Sequence, residues 1–175
     1  MAGSAGCTGD NSPAPAYETP MRLALFQPVI PQNVGACIRL SACFGVGLHV
    51  IEPVGFRFDS AALKRAALDY GPLGHMTRHA SWDAFQADRP PGRLVLFTTT
   101  GATPLHRFVF QPDDILLFGN ETAGAPNEVH ALADARLVIP LRPGARSLNL
   151  SVSAGIGLFE GLRQTGGLDQ AAPAI

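Results

Sequence analysis

The chain is poor in charge and in lysine. Only 15% of its 175 residues are charged, and Lys64 is the single lysine among 13 basic residues. The net charge at pH 7 is −1, so no overall electrostatic attraction draws the chain to nucleic acid. A nucleic-acid partner would therefore need a local basic patch. No apolar run reaches the length of a membrane span, and we expect no membrane partner.

Cysteine is also scarce. The three cysteines, Cys7, Cys37 and Cys43, do not have the spacing of metal ligands. Cys37 and Cys43 fall in an apolar helical run, which predicts buried free thiols. An odd number of cysteines without a secretory signal favours a reducing compartment, which we take to be the cytoplasm.

Several common catalytic and binding motifs are missing. The sequence has no phosphate-binding G-x-x-x-x-G-K-[ST], no G-x-G-x-x-G after its first predicted strand and no G-x-S-x-G. Its histidines are scattered, and none stands at ligand spacing from a cysteine or carboxylate. We therefore predict no metal site and no catalytic role for His49, His75, His79, His106 and His130.

Hydrophobic residues, by contrast, make up 46% of the chain, which indicates a buried oligomer interface. Residues 1–20 are rich in Gly, Ser, Ala and Pro, and are predicted to be a disordered leader or a tag remnant. Residues 21–166 are long enough for a single domain. Residues 167–175 are predicted to be a disordered tail.

Predicted strands and helices alternate along the domain. Strands are expected at 22–27, 49–52, 75–79, 93–98, 115–119 and 136–139. Helices are expected at 33–44, 82–87, 126–132 and 148–164, with one more from Asp59 to about Leu68. Their predicted N-caps are Asn33, Asp59, Ser81 and Ser147. This alternation predicts an α/β domain with a mostly parallel sheet and helices on both faces.

Three segments follow predicted strands, at the sheet edge where open α/β folds bind ligands. The first, residues 28–39, enters a helix that is apolar almost all round yet carries Arg39. Such an arginine must be paired or must face a partner. The alternative is a structural salt bridge.

The second segment, residues 117–126, places Glu121 between Gly119 and Gly124 directly after an apolar strand. Paired glycines there indicate close approach of the backbone to another group. The alternative is a plain turn with an exposed Glu.

The third segment, residues 139–151, is a Pro/Gly loop that leads into the last helix. Asn149 and Ser151 place polar groups at the start of that helix, where free N–H groups can bind a ligand. The alternative is an ordinary capped helix. From the residues alone, the chain is a ligand-binding α/β domain with three candidate loops.

In order and spacing, the three segments resemble the motifs of the SPOUT RNA methyltransferases, a knotted class that uses S-adenosylmethionine (AdoMet). The motifs are P-x-I-P-x-N-x-G-x-x-x-R, F-G-x-E-x-x-G-x-P and I-P-M…R-S-L-N-L-S, and the similarity covers about residues 21–164. Residues 48–56, 68–70 and 98–101 are further similar to one subgroup. That subgroup comprises the short tRNA (cytidine/uridine) 2′-O-methyltransferases that act on the wobble nucleotide, position 34.

The resemblance implies a deep trefoil knot, which is rare among folds, with AdoMet held in a bent shape between two loops. It implies no metal cofactor and S-adenosylhomocysteine (AdoHcy) as product. The residues implied to line the cofactor site are Phe97, Thr98, Gly119, Gly124, Ile139, Leu141, Ser147 and Leu148.

The resemblance also assigns catalytic roles. Arg39 matches the arginine that activates the ribose hydroxyl, and Glu121 is expected to orient Arg39 or its own loop. Asn33 and Asn149 are expected to hold backbone or substrate in register. Residues Ala125, Leu141, Val152 and Phe159 depart from the family pattern, but none of these changes removes a group that the chemistry needs.

A domain this small is expected to need two copies to grip a tRNA anticodon stem-loop. The apolar first helix, and Gly157 and Gly161 in the last helix, are predicted to pack in a homodimer. Basic residues predicted to contact RNA phosphates are Arg57, Lys64, Arg65, Arg78, Arg142 and Arg146. The alternatives are methylation of another RNA, such as rRNA, and a non-catalytic AdoMet-binding module.

Overall fold

The structure is a computed structural model that describes residues 19–67, 76–100 and 103–169, without the side chain of Lys64. Its strands are β1 (Arg22–Phe26), β2 (Gly47–Ile51), β3 (Met76–His79), β4 (Leu94–Phe97), β5 (Thr103–Pro104), β6 (Ile115–Phe118) and β7 (Ala135–Val138). Its α-helices are α1 (Pro31–Phe44), α2 (Ala61–Ala67), α3 (Trp82–Asp88), α4 (Asn127–Leu132) and α5 (Leu150–Thr165). A 3₁₀ turn, Leu105–Arg107, follows β5.

The strands form one sheet in the order β3-β2-β1-β6-β4-β7-β5. Each pairing of neighbouring strands is parallel, which confirms the α/β prediction. Because parallel strands end at the same edge, the segments after β1, β6, β4 and β7 lie side by side there.

Alternation along the strands divides the core into two layers. On β1, Leu23 and Leu25 belong to the cluster that packs against α1, α2 and α5. Ala24 and Phe26 belong to the opposite cluster, which contains α3 and α4. The period of two residues thus places helices on both faces of the sheet, as predicted.

Three of the four predicted helix caps are wrong. Helix α1 begins two residues before Asn33, at Pro31, a residue type well suited to the first turn. Ser60, rather than Asp59, accepts a hydrogen bond from the backbone of α2, at Leu63 N (3.3 Å). Asn149 caps α5 in place of Ser147. Only Ser81 caps its helix as predicted, by accepting from Ala84 N at 3.1 Å.

Other boundaries also differ. The described structure reaches Asp169, three residues past the predicted domain end, and Leu168 packs on the core. Strand β5 escaped prediction because it is two residues long and contains a proline. Residues 68–70, His75 and Gly101, which the resemblance or the strand prediction used, lie outside the described residues.

The glycines of α5 do not serve the purpose predicted for them. A Cβ atom on Gly157 would lie 2.5 Å from the ring of Phe97, and one on Gly161 would lie 2.8 Å from the sulfur of Met21. Both glycines therefore make room for side chains of the same chain, one on β4 and one directly before β1, rather than for a second helix. The prediction for cysteine was half wrong, since Cys37 is buried but Cys43 is exposed.

No helix in the described ranges is both long and apolar enough to cross a bilayer.

Candidate active site

A cavity of about 630 Å³ opens at the sheet edge where β1, β6, β4 and β7 end. All eight residues predicted to line a cofactor site surround it, together with Asn33, Glu121, Asn149 and Arg146. The cavity also contacts Ile30, Thr99, Thr100, Phe118, Ala125, His130 and Val138, among others. The three predicted segments thus form one site.

Glu121 joins the second segment to the first. Its carboxylate accepts hydrogen bonds from Val29 N at 2.9 Å, Ile30 N at 3.3 Å and Asn33 Nδ2 at 2.9 Å. The negative charge therefore lies at the start of α1, where free N–H groups favour an anion. These contacts favour the role of Glu121 in orienting its loop.

Asn33 and Asn149 extend the network to the third segment. Asn149 Nδ2 donates to Asn33 Oδ1 at 2.8 Å. Asn149 Oδ1 in turn accepts from Ser151 N at 2.9 Å and from Ser151 Oγ at 2.7 Å. Asn33 is only 4% exposed, so its amide is satisfied by protein partners, as a buried polar group requires. The network connects segments 88 and 116 residues apart in the sequence.

The loop after β6 is closed by its own hydrogen bonds. Asn120 and Gly124 form a backbone bridge in both directions, at 3.0 and 2.8 Å. A Cβ on Gly119 would lie 2.6 Å from the carbonyl carbon of Gly124. Glycine at 119 is therefore required by this loop's own backbone.

Aromatic rings and a run of threonines form another wall of the cavity. Phe97 and Phe118 stack with ring centroids 4.6 Å apart. Thr98, Thr99 and Thr100 follow β4 directly and also line the cavity. We predicted a cofactor role only for Thr98, although the position of all three after a buried strand was a usable signal.

Cys37 lies beneath the site and cannot act as a nucleophile at neutral pH. Burial, and then the nearby Glu121 carboxylate, raise the pKa of its thiol to about 12. A thiol reacts as its thiolate, so Cys37 behaves as a core residue. Within the described part of the chain, no group of three or more His, Cys, Asp or Glu side chains could hold a metal ion.

Arg39 is the predicted catalytic residue that the structure places apart from the others. It is exposed on α1, six residues after Asn33 and therefore about 9 Å further along the helix. It does not line the cavity of its own chain. A single chain thus brings Asn33, Glu121 and Asn149 together, but not Arg39.

The arginines predicted to bind RNA differ in their surroundings. Arg57 pairs with Asp59 at 2.9 Å, and Arg78 pairs with Glu52 at 2.7 Å and stacks on Phe58 at 3.9 Å. Both ion pairs are solvent-exposed and therefore contribute little to the stability of the fold. Arg65, Arg142 and Arg146 are exposed, and Arg146 reaches the cavity.

Comparison with known proteins decides the family. Residues 20–159 match the model of the SpoU rRNA Methylase family. The chain belongs to this family. The match covers most of the domain and confirms the resemblance predicted from the three segments.

Curated and solved members of the SpoU family include near relatives. The tRNA (cytidine(34)-2′-O)-methyltransferase of Beijerinckia indica subsp. indica is 51% identical over 148 residues, 83% of this chain and 92% of that protein. A solved structure described as "Structural insights into the 2-OH methylation of C/U34 on tRNA" is 41% identical, with a TM-score of 0.80. That alignment covers 84% of this chain and 97% of the solved one.

A more distant SpoU structure shows a bound cofactor. The SpoU methyltransferase AviRb of Streptomyces viridochromogenes, in complex with AdoMet, is 28% identical, with a TM-score of 0.70. The similarity covers 82% of this chain but 59% of AviRb. The shared region thus corresponds to nearly all of this domain and to part of a longer protein.

Proposed function

We propose that the protein transfers a methyl group from AdoMet to the ribose 2′-hydroxyl of the wobble nucleotide, a cytidine or modified uridine at position 34, of a tRNA. The observation that carries the proposal is the convergence of three segments on one cavity, in a chain 51% identical to a tRNA (cytidine(34)-2′-O)-methyltransferase. The tRNA relative is matched over 92% of its length, whereas AviRb is matched over 59%. This favours tRNA over the rRNA alternative.

The residues of the cavity fit AdoMet. Its volume of about 630 Å³ is within the range of small-molecule sites. Backbone groups of Gly119, Gly124 and Ile139 can approach an adenosine closely, while Leu141 and Leu148 supply apolar contacts. The side chains of Thr98 and Ser147 offer hydroxyls, and Phe97 closes one wall. We expect the loops around Gly119 and Ser147 to be the two loops of the trefoil knot.

Bound AdoMet would supply an electrophilic methyl group, so this chain needs no metal to activate a leaving group. The protein's task is to align the ribose oxygen with that methyl carbon and to stabilise the charge that develops on the oxygen. Arg39 is the group that we assign to the hydroxyl. Because an arginine is almost always charged, stabilising a developing alkoxide is a more favourable role for it than accepting the proton.

Arg39 does not line the cavity of its own chain, and we expect it to reach the cavity of a second copy. Helix α5 exposes an apolar stripe, Val152, Ile156 and Phe159, which are 48%, 39% and 50% exposed. Phe159 also contacts Phe44 at the end of α1, with ring centroids 6.5 Å apart. Burying this stripe in a homodimer would cover apolar surface and would bring Arg39 of one protomer towards the cavity of its partner.

The RNA would lie across the exposed arginines. Arg146 lines the cavity and Arg142 is exposed in the same loop. Arg65 and Lys64 belong to α2, and Arg57 precedes that helix. We expect these side chains to hold the phosphates of an anticodon stem-loop, in the cytoplasm. The non-catalytic alternative has no use for an exposed arginine at the acceptor face.

The direct test supplies tritiated AdoMet with purified tRNA or purified rRNA in separate reactions. We expect label in tRNA alone, recovered after digestion as a 2′-O-methylated nucleoside. Label in rRNA alone would transfer the proposal to the rRNA alternative. AdoMet binding without transfer to either RNA would favour the non-catalytic module.

A further inference from the structure

His130 has no role in the reaction assigned above, yet it lines the same cavity. It belongs to the short helix α4, directly after the loop that carries Glu121. The backbone N–H of His130 donates to Pro126 O at 3.1 Å, and its neighbour Val129 is fully buried in the second core cluster. The position of the ring is therefore set by a packed helix.

The ring nitrogens of His130 have no hydrogen-bond partner within the described part of the chain, although the residue is half-buried. Other polar groups at the cavity wall, such as Asn33 and Asn149, are already engaged with each other. A half-buried imidazole that faces a cavity and lacks a protein partner is available to a ligand.

His130 also lies on the opposite side of the cavity from the asparagine network. Helices α1 and α5, which carry Asn33 and the residues after Asn149, pack on one face of the sheet. Helix α4 packs on the other face, together with Ala125. A ligand that spans the cavity therefore has one end at the polar network and the other end at His130.

Apolar residues near His130 also line the cavity, among them Ala125, which packs against the same core cluster as α4, and Val138 at the end of β7. Apolar walls with one hydrogen-bonding group suit a flat heterocycle with polar atoms at its edge. A charged amino-acid chain would instead require several polar partners.

We propose that His130 binds the purine base of the cofactor by a hydrogen bond from its imidazole and so contributes to cofactor affinity. This inference rests on the proposed function, because it takes the cavity to be the AdoMet site. It makes His130 a binding residue and leaves the acceptor chemistry to Arg39.

The test compares two ligands by calorimetry. AdoHcy carries both the adenosine and the amino-acid branch, whereas 5′-methylthioadenosine keeps the adenosine and lacks the amino acid. We expect His130→Ala to weaken both ligands by a similar factor of roughly 3- to 10-fold, the range for one hydrogen bond. In steady state, the KM for AdoMet should rise while kcat at saturating AdoMet is unchanged.

Two further substitutions and a control complete the design. His130→Gln retains a hydrogen-bonding side chain and should recover part of the affinity. His130→Leu keeps bulk without polar atoms, and it carries the same expectation if the Ala variant fails to fold. The matched control is His106→Ala, because His106 is exposed and lies outside this cavity; its affinities should equal those of the wild type.

The outcomes separate this inference from the proposed function. Loss of affinity for AdoHcy alone would assign His130 to the amino-acid branch and overturn the purine assignment. Unchanged affinity for both ligands in a folded variant, with normal binding by the wild type, would overturn the role of His130 only. Failure of the wild type to bind either ligand would overturn the proposed function and this inference with it.

Discussion

Arg39 is the residue on which the catalytic proposal depends most. It is exposed on α1 and lies away from the cavity of its own chain, so its removal should leave cofactor binding intact. We expect Arg39→Ala to lower the rate of methyl transfer by about 10²-fold or more, as loss of a transition-state interaction does, with AdoMet affinity nearly unchanged. Single-turnover kinetics and calorimetry on the same preparation measure the two quantities.

The matched control is Arg39→Lys, because this variant keeps the positive charge but not the planar guanidinium. Wild-type turnover by Arg39→Ala would remove the residue from the mechanism. Unfolding of the variant would instead support a structural salt bridge.

A buried histidine pair makes a separate prediction about stability. His49 Nδ1 and His79 Nε2 are 2.9 Å apart, and the residues are 8% and 3% exposed. Burial first, and then His79 and Arg22, lower the pKa of His49 to about 4. Burial also lowers the pKa of His79, against an opposing effect of Asp88.

Because the folded state resists protonation of His49, the unfolded chain binds protons first as the pH falls below about 6.5. Above that pH, the free energy of unfolding should no longer be lowered by the titration of His49. It should fall between about pH 6.5 and pH 4, with a slope approaching about 1.4 kcal/mol per pH unit for one proton. Urea unfolding at a series of pH values measures the slope. Glutamine cannot titrate, so His49→Gln should reduce the slope between pH 6.5 and 5, and His79 should supply the slope that remains. An equal slope in this variant would contradict the assignment.

At the scale of the elements, helix α5 offers an internal comparison of two glycines. A Cβ on Gly157 would lie 2.5 Å from the Phe97 ring, which stacks on Phe118 and lines the cavity, while a Cβ on Gly155 meets nothing within 4 Å. We expect Gly157→Ala to destabilise the fold by about 1–3 kcal/mol through overpacking. Gly155→Ala should be neutral or stabilising by up to about 1 kcal/mol, from helix propensity.

Chemical denaturation of both variants measures the difference in the free energy of unfolding. An equal effect of the two substitutions would contradict the packing of α5 on Phe97. Because Phe97 lines the cavity, Gly157→Ala should also weaken AdoHcy binding, whereas Gly155→Ala should not.

The elements show what sequence patterns can predict. The alternation of apolar strands and capped helices predicted six of the seven strands and all five α-helices of the described chain. The caps were harder to predict, because Ser147 and Asn149 are both good capping residues and tertiary contacts decide which of the two caps α5. Asn149 serves as the cap of α5 because its amide group also reaches Asn33, a contact across 116 residues that no local pattern contains.

The sequence predicted which three segments form the candidate site, but it did not predict how all of their side chains are arranged. The three segments carry recognisable residues, and the parallel topology brings them to one edge. His130 gave no signal, because a single histidine in a short helix has no periodicity or partner to mark it. The exposure of Arg39 agrees with the expectation that a charge on this apolar helix is paired or faces a partner, and its place at a cavity shared by two chains stays a prediction.

At the scale of the whole molecule, the proposed dimer predicts complementation between two inactive chains. Arg39→Ala keeps an intact cavity, and Gly119→Val keeps Arg39 but distorts the loop that closes on Gly124. Equal mixing under conditions that exchange subunits should restore up to about a quarter of wild-type activity, since half of the dimers are mixed and each has one intact site.

The control is an Arg39→Ala/Gly119→Val double variant mixed with Arg39→Ala, which provides no intact pair and should stay inactive. A monomer at micromolar concentration by light scattering would contradict the shared site, as would the absence of recovery from properly mixed dimers.

The central claim is that one hydroxyl, the ribose 2′-OH of nucleotide 34, accepts the methyl group. The most direct measurement uses two full-length tRNA transcripts of the same sequence that differ only at this position, with a cytidine in one and a 2′-deoxycytidine in the other. Both are incubated with tritiated AdoMet and the wild-type protein. The account predicts label in the first tRNA, recovered as 2′-O-methylcytidine, and none in the second. Equal label in both tRNAs would show that the methyl group goes to another position, and would contradict the account.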